Sequence, residues 1–226
     1  MKIVQHHLKP QEWIKVPVRK HHIVWHAPGF RTHRTPYEGL PGTVPTYMSS
    51  WRYHKLKTAT PWVIDRDGTV YSTYPDSDWA FHLHVGTVAP DGKVYTNGVV
   101  DRMSIGIDIA NELDLVEKDG KFYPHGNIKP TNEYTGPTFQ KSYRDNDWWA
   151  DLDPEQVDSL IELTLDCCKR NSIDPVFYRG DNFDHALWEY ATILRHCNVN
   201  PRVRDLPLNG WVVDKIAAAG IKVVGV

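Results

Sequence analysis

The chain has 226 residues, 41% hydrophobic and 24% charged, a composition typical of one globular domain with a hydrophobic core. Its net charge is −2 and it contains no basic block, which argues against nucleic acid as the main partner. No apolar run approaches the roughly 20 residues of a membrane-spanning helix, so we expect no membrane partner.

The cysteines and the N-terminus bear on where the protein is made. There are three cysteines, and two of them, Cys167 and Cys168, are adjacent. An odd number that includes a neighbouring pair argues against a disulfide framework and favours synthesis in the reducing cytoplasm. The first residues, MKIVQHHLKPQEW, lack the apolar core of a signal peptide, so we expect no export by that route.

The first third of the chain predicts a polar arm followed by strands and one helix. Residues 1–20 are polar and mixed, and we expect them to form an arm over the domain. The run HHIVWHAPG (21–29) predicts a short buried strand that ends at His26 before a Pro-Gly turn. Residues 45–57 have apolar residues at helical spacing, and PWVIDRDGTVYSTY (61–74) predicts a β-hairpin.

The middle of the chain predicts one alternating strand and a long insertion. In SIGIDIAN (104–111) the isoleucines share one face and Asp108 lies on the other, which predicts one buried face. Residues 112–150 are rich in Gly, Pro and aromatic residues and predict a long irregular insertion. Loops of this length in compact domains are usually functional or disordered, and the aromatic content favours an ordered one.

The last third predicts two helices and a terminal strand. DPEQVDSLIELTLDCCKRN (153–171) is the clearest helix, with Asp153 as its N-cap and Gln156 placed to complete a capping box. Residues 209–225 predict a short helix stopped by Gly220 and a strand-like end.

Several polar side chains follow apolar strands: His26, Asp108, and the pair His196 and Asp205 in TILRHCNVNPRVRDLP (192–207). Two imidazoles and one carboxylate on a tetrahedral zinc ion leave one position for water, as in catalytic zinc sites. Such a site can bring the pKa of the bound water down to about 7. A single histidine at a strand end is, however, more often a satisfied or exposed residue than a ligand. Spacing alone therefore makes zinc only a candidate.

Six segments occur in an order that resembles a known family. They are IVWH (23–26), VIDRDGTVY (63–71), WAFHLHVG (79–86), DRMSIGIDIAN (101–111), LDPEQVDSLIELTLDCCKRNSI (152–173) and LRHCNVNPRVRDLP (194–207). In this order they resemble the type 2 N-acetylmuramoyl-L-alanine amidases, a zinc-dependent family that shares its fold with peptidoglycan recognition proteins and includes many phage endolysins. The resemblance spans about residues 21–215.

The resemblance implies a fold, a cofactor and a partner. The fold is an α/β (or α+β) domain over residues 1–226, with a central mixed β-sheet flanked by helices and zinc at one edge of the sheet. The implied zinc ligands are His26, His196 and Asp205. The implied partner is peptidoglycan or a muropeptide, and we expect a monomer.

The resemblance also implies catalytic roles. Asp108 matches the acid of the family's SIGIE motif, and it is expected to act as general base although Asp is one methylene shorter than Glu. The family's lysine near the third ligand is replaced by Val203, so counting from His196 transfers the oxyanion role to Arg204, with Arg202 as the fallback. Two further departures are the motif HAPG, one residue shorter than the family's HxTAG, and the nine-residue spacing from His196 to Asp205.

Four residues are expected to line the substrate cleft: Trp79, His82, His84 and Thr60, the last at the position of a catalytic tyrosine in some phage members. For the two histidines, a plain surface hairpin is an equally open interpretation. Cys167, Cys168 and Cys197 are assigned no chemistry.

The implied reaction is zinc-dependent hydrolysis of the amide bond between N-acetylmuramic acid and L-alanine, as in a lytic endolysin. The alternatives are a non-catalytic peptidoglycan-binding module, a cytosolic enzyme that recycles wall fragments, and a toxin delivered by a secretion machine. If the protein is lytic, we expect it to be made in the cytoplasm without a signal peptide and to act on the bacterial cell wall.

Overall fold

The computed structural model describes residues 1–29, 48, 58–83, 87–88, 94–95, 98–125, 128–184, 186–200, 203 and 205–225. The strands in this part of the chain are β1 (Lys2–Gln5), β2 (His22–His26), β3 (Trp62–Ile64), β4 (Thr69–Ser72), β5 (Thr87–Val88), β6 (Val94–Tyr95), β7 (Ser104–Ile109), β8 (Asp114–Lys118), β9 (Lys121–Pro124), β10 (Thr138–Tyr143), β11 (Asn146–Ala150), β12 (Val176–Tyr178), β13 (Ile193–Arg195) and β14 (Lys222–Val224). The helices with described bounds are α1 (Val99–Met103), α2 (Pro154–Asn171), α3 (Leu187–Tyr190), α4 (His196–Val199) and α5 (Gly210–Ala218).

An eight-stranded mixed β-sheet forms the framework, with the strand order β1-β4-β3-β7-β2-β13-β12-β14. The strands from β3 to β14 pair in parallel, whereas β4 runs antiparallel to β3. On one face, Val157 and Leu160 of α2 pack with the isoleucines of β7. On the other face, Leu187 of α3 and Val199 of α4 pack against Val24 of β2. The predicted central mixed sheet with flanking helices is therefore confirmed.

The strand predicted to end at His26 and the hairpin predicted over residues 61–74 are both confirmed. β2 ends at His26 and is buried at all five positions. β3 and β4 form the predicted hairpin, and its turn contains Gly68 with a φ of 76°, which glycine adopts without a steric penalty. Arg66 in this turn is buried and forms ion pairs with Glu112 and Asp153, so it ties the hairpin to the segment after β7 and to the start of α2.

β7 differs from the prediction of a strand with one buried face, because all six of its residues are buried. Its isoleucines belong to the core cluster that contains α2. The opposite face, which carries Asp108, is also covered, and the next residue on that face, Ala110, packs with Val63 and Met48. A strand in the middle of a parallel sheet is buried on both faces. The alternation of side-chain types in β7 therefore does not mean that one face is exposed to solvent.

The prediction that residues 112–150 are irregular is wrong. This insertion forms a second, four-stranded antiparallel sheet in the order β10-β11-β8-β9. Two tight turns allow neighbouring strands of this sheet to pair. Asp119 and Gly120 connect β8 to β9, and Arg144 and Asp145 connect β10 to β11. All four residues have positive φ. A two-residue loop with positive φ at both positions matches the twist of a β-hairpin.

The N-terminal segment is more than an arm over the domain, since residues 2–5 form β1 and extend the main sheet by pairing in parallel with β4. Asp153 occupies the N-cap of α2 as predicted, but its side chain makes no capping hydrogen bond. The proposed capping box is therefore wrong, because Gln156 turns inward and its Nε2 donates to the carbonyl of Ala110 at 2.9 Å. α5 is followed by Gly220 with a φ of 85°, as its stop signal predicts.

Apart from Met48, which is helical, the helix predicted over 45–57 lies outside the described residues. Within the described part of the chain, no helix combines the length and apolar character needed to cross a membrane.

Candidate metal centre

The predicted site residues lie at the carboxyl ends of three neighbouring parallel strands. The register of β2 and β7 places His26 directly beside Asp108. On the other side of β2, β13 pairs Arg195 with Trp25, so His196 follows its strand at the level of His26. Adjacent strands are about 4.8 Å apart, so these side chains share one small region of the sheet edge. Open α/β sheets commonly bind ligands at this position.

The imidazoles of His26 and His196 face each other. Their Nδ1 atoms are 2.9 Å apart, and both side chains are buried. The other nitrogen of His196, Nε2, lies 2.9 Å from the carbonyl oxygen of Leu83. A carbonyl oxygen only accepts hydrogen bonds, so Nε2 carries the proton and the Nδ1 of neutral His196 presents a lone pair to His26.

This pair fits the chemistry of a metal ligand set. Histidines that bind metals usually donate their second ring N–H to a carbonyl or carboxylate, as His196 donates to Leu83. Two nitrogens on one tetrahedral zinc ion at the usual bond lengths are roughly 3.3 Å apart, close to the observed spacing of the two Nδ1 atoms. His26 and His196 could therefore hold zinc with little movement.

Asp205 lies beside both histidines and is fully buried. Its Oδ1 accepts hydrogen bonds from the backbone N–H groups of Ala27 and Leu206, each at 3.0 Å, and Oδ2 accepts one from Cys197 at 3.3 Å. Ala27 and Cys197 directly follow the two histidines, so one carboxylate connects the ends of both strands. Burial raises the pKa of Asp205, while the Arg195 guanidinium and these three N–H groups oppose the shift. A nearby cation would favour the charged carboxylate.

The three predicted ligands are thus brought together, but not as a finished ligand set. No group of three or more His, Cys, Asp or Glu side chains among the described residues is arranged to hold a metal ion. Both oxygens of Asp205 already accept backbone hydrogen bonds. A carboxylate offers about four lone-pair positions, and three are used here, which leaves capacity for one metal bond. Asp205 as the third ligand stays a prediction.

Three of the four predicted cleft residues are described, and all three are buried. His82 Nδ1 lies 2.8 Å from His26 Nε2, so His82 contacts a candidate ligand. The Thr60 hydroxyl donates to the carbonyl of Trp62 at 3.1 Å. Trp79 packs edge-on against Phe81. His84, Arg202 and Arg204 lie outside the described residues.

Asp108 lies on the same face of the sheet as this cluster. Gly106, two residues earlier on that face, is approached closely by Thr60 and His82. Asp108 is itself buried, and its charge and that of Asp101 add to the effect of burial in raising the pKa of the Tyr74 hydroxyl. The candidate base therefore lies in a buried polar region beside His26.

Three positioning contacts were missed from the sequence. Asp101 Oδ1 accepts from the backbone N–H groups of His82 and Leu83, at 2.7 and 2.8 Å. Ser104 Oγ lies 2.9 Å from His82 Nε2. Arg195 donates to the carbonyl of Leu206 at 3.0 Å, which fixes the loop next to Asp205. Ser104 and Asp101 lie in the quoted motif DRMSIGIDIAN, but their roles depend on tertiary contacts that a motif does not contain.

Cys197 follows His196 but is a poor nucleophile. Its thiol is buried, and burial raises its pKa to about 11, with the Arg195 charge opposing the shift. Few thiolates form at neutral pH with such a pKa, so the absence of an assigned role for Cys197 is consistent with its surroundings.

A comparison with known protein families matches residues 18–205 to the N-acetylmuramoyl-L-alanine amidase family. The chain belongs to this family. The matched region begins before β2 and ends at Asp205, so it includes the carboxyl ends of β2, β7 and β13. A search of the curated proteins returns no match.

Solved structures share the fold of this chain at low sequence identity. The catalytic domain of XlyA is 13% identical, with a TM-score of 0.52 over 97% of each chain. A mutant endolysin from Bacillus subtilis is 13% identical, with a TM-score of 0.52 over 96% of each chain. AmiD from E. coli, bound to anhydro-N-acetylmuramic acid-L-Ala-D-gamma-Glu-L-Lys, is 16% identical, with a TM-score of 0.50 over 92% of this chain and 60% of that chain.

Proposed function

We propose that this protein is a zinc-dependent N-acetylmuramoyl-L-alanine amidase, which hydrolyses the amide bond between N-acetylmuramic acid and L-alanine in peptidoglycan. One observation carries the proposal within the family: the Nδ1 atoms of His26 and His196 face each other at 2.9 Å beside Asp108. A metal ion is the natural occupant of such a position, because imidazole nitrogen is a preferred zinc ligand.

In this proposal His26, His196 and Asp205 hold the metal. Bound zinc would supply Lewis acidity, polarising the scissile carbonyl and making water acidic enough to act as a nucleophile near neutral pH. Asp205 remains anchored to the backbone on both sides, so the distance between the two histidine strands is fixed before the metal binds. Preorganisation of this kind lowers the cost of assembling the site.

Asp108 is the proposed general base. It lies beside His26 in the register of the sheet, on the face that carries the imidazoles. Its carboxylate would take the proton of the attacking water and return it to the leaving amine of L-alanine. General acid–base catalysis of this type contributes typically about 10²–10⁴-fold to the rate.

The remaining roles rest on the resemblance alone. Arg204 is proposed to stabilise the negative charge that develops on the carbonyl oxygen, with Arg202 as the alternative. The loss of one such donor typically lowers the rate by about 10²–10³-fold. His84 is proposed to contact the substrate, and the lytic, endolysin type is proposed as the biological setting, with the bacterial cell wall as the place of action.

The product formed from a defined muropeptide tests this proposal. Zinc-loaded protein is incubated with N-acetylmuramoyl-L-Ala-D-Glu-L-Lys, and the products are identified by mass spectrometry. We expect free N-acetylmuramic acid and a peptide with a new L-alanine amino terminus, and no activity after chelation until zinc is restored. His196→Ala should be inactive, whereas the exposed His7→Ala serves as a matched control with full activity.

Three results would contradict the proposal. Cleavage of a peptide bond within the stem would indicate a peptidase. Binding of peptidoglycan by the zinc-loaded protein without any release of amino termini would indicate a recognition module. New reducing ends from intact peptidoglycan would indicate glycoside cleavage, which needs a pair of carboxyl groups across the glycosidic bond.

A further inference from the structure

A chain of hydrogen bonds leads from His26 away from the candidate metal position. His26 Nε2 lies 2.8 Å from His82 Nδ1, and His82 Nε2 lies 2.9 Å from Ser104 Oγ. Ser104 Oγ in turn donates to the carbonyl oxygen of Val100 at 2.7 Å. The chain therefore ends on a backbone carbonyl, which can only accept.

Because the carbonyl oxygen of Val100 can only accept, the donor and the acceptor of every hydrogen bond in this series are fixed. The single hydroxyl proton of Ser104 is used on Val100, so Ser104 Oγ accepts the proton of His82 Nε2. Neutral His82 then has a lone pair on Nδ1, which accepts the N–H of His26 Nε2. The lone pair of His26 is left on Nδ1, the atom that faces His196.

The same reasoning from the opposite side gives His196 a lone pair on Nδ1, because its Nε2 donates to Leu83. Two lone pairs 2.9 Å apart repel unless a cation, either a proton or a metal ion, lies between them. The hydrogen bonds on both sides thus prepare the two nitrogens for one positively charged partner.

His82 is held firmly enough to impose this orientation. Its side chain is 5% exposed, and its backbone N–H donates to Asp101. Gly106 lies directly beneath it, where an added Cβ would come within 2.9 Å of His82 Nδ1. Asp101 also accepts from the N–H of Leu83, so one carboxylate positions the hydrogen-bond partners of both histidines.

We propose that His82 is a positioning residue for the metal centre, and that Ser104 completes its function by fixing the tautomer of His82. The inference rests on the zinc centre of the proposed function and assigns His82 a role other than substrate contact. Loss of a hydrogen-bond partner behind a metal ligand typically weakens metal binding by about 10–100-fold.

Zinc affinity, measured by competition with a chromophoric chelator, tests the proposal. His82→Leu removes the acceptor, and we expect zinc binding to weaken by about 10–100-fold, with a changed absorption spectrum of the cobalt-substituted protein. His82→Asn places an oxygen near the position of Nδ1, and it should restore much of the affinity. Ser104→Ala should weaken binding by about tenfold, although Ser104 does not touch His26.

His22→Leu is the matched control. His22 is also buried on β2, on the same face as His26, but its Nε2 bonds to the carbonyl of Trp188 and not to the chain of hydrogen bonds. The zinc affinity of His22→Leu should equal that of the unaltered protein. Equal weakening in His22→Leu and His82→Leu would show a general loss of stability and would overturn the inference.

The outcomes separate this inference from the proposed function. An unaltered protein that binds no zinc would refute the zinc centre itself. If the unaltered protein binds zinc and His82→Leu binds it equally well, the positioning role is refuted while the amidase proposal stands. Should His82→Leu fail to fold, Ser104→Ala decides, because unchanged affinity in that variant also refutes the role.

Discussion

At Gly106, in the middle of β7, an added Cβ would lie 2.7 Å from Thr60 Cγ2 and 2.9 Å from His82 Nδ1. Real Cβ atoms essentially never approach so closely. The absence of a side chain here is therefore a requirement of packing, and it allows His82 to reach His26 from above the sheet.

We expect Gly106→Ala to displace His82, lower zinc affinity and reduce the free energy of unfolding by about 1–3 kcal/mol, the usual cost of overpacking a core. Gly210→Ala is the control, because Gly210 is at the start of α5 and an added Cβ would meet nothing within 4 Å. Urea unfolding and chelator competition measure both effects. Equal behaviour of the two variants would contradict this account of Gly106.

His22 makes a pH-dependent contribution to stability. Burial lowers its pKa from 6.5 to about 4, the charge of His21 adds to this, and the hydrogen bond to Trp188 opposes it. Between these values the unfolded chain binds a proton that the folded protein does not, so stability falls as the pH is lowered from about 6.5 towards 4.

We therefore expect the unaltered protein to lose about 2 kcal/mol more unfolding free energy between pH 7.5 and pH 5 than His22→Leu loses. Urea unfolding of both proteins at the two pH values measures this difference. Groups that titrate in both proteins contribute equally to the two losses of unfolding free energy, so their contributions cancel in the comparison. Parallel losses in the two proteins would show that His22 titrates normally in the fold.

At the residue scale, the sequence was sufficient to find residues that follow strands but not their hydrogen-bond partners. The sequence points to His26 and His196 because His26 closes the apolar run Ile23–Trp25 and His196 follows the apolar pair Ile193-Leu194 after one arginine. Ser104 lies in an identified motif, yet its role depends on His82, which comes 22 positions earlier in the chain and meets Ser104 only in the folded structure.

At the scale of elements, the insertion (112–150) departs most from its sequence prediction, although one of its turns carries a clear signal. Asp119-Gly120 is a strong hairpin signal, and it connects two runs that form β8 and β9. The turn at Arg144-Asp145 carries a weaker signal, because arginine rarely adopts positive φ and the second position is aspartate and not glycine. Composition alone could not distinguish a small antiparallel sheet from an irregular loop.

The insertion is attached to the core through Trp149. Its side chain is fully buried in the cluster that contains α2, and its Nε1 donates to the carbonyl of Lys141 at 2.8 Å. Trp148, the next residue on the opposite face of β11, is only partly buried and packs against Phe122 within the small sheet.

We expect Trp149→Ala to lower the free energy of unfolding by about 3–5 kcal/mol, as for other large buried aromatic residues. Trp148→Ala should cost clearly less, because its side chain keeps part of its exposure in the folded protein. Urea unfolding of both variants measures the costs. Similar values for the two variants would contradict the attachment of the insertion to the core through Trp149.

At the scale of the whole molecule, the sheet topology assembles the site from segments far apart in the chain. His26, Asp108 and His196 are more than 80 positions apart from one another in the chain, but they lie on or directly after strands that are neighbours in the order β7-β2-β13. The sequence predicted which residues follow strands, and the family resemblance supplied their association. Strand order and register are long-range properties that no local pattern encodes.

Asp108→Asn separates catalysis from metal binding at this site. Asparagine keeps the shape of the side chain but cannot accept the proton of water, so turnover should fall by about 10²–10⁴-fold. Zinc content and the unfolding midpoint should stay close to those of the unaltered protein. Near-normal turnover with zinc in place would exclude Asp108 as the base. Thr60, His82 and His84 would then be the remaining candidates for that role.

We propose that His26, His196 and Asp205 bind one zinc ion at the carboxyl ends of β2 and β13. An anomalous difference map at the zinc edge, from crystals of the zinc-loaded protein, tests it most directly. We expect a single peak about 2.0–2.2 Å from both Nδ1 atoms and from one oxygen of Asp205. A strong peak elsewhere, or one near the histidines with Asp205 directed away from it, would contradict the claim.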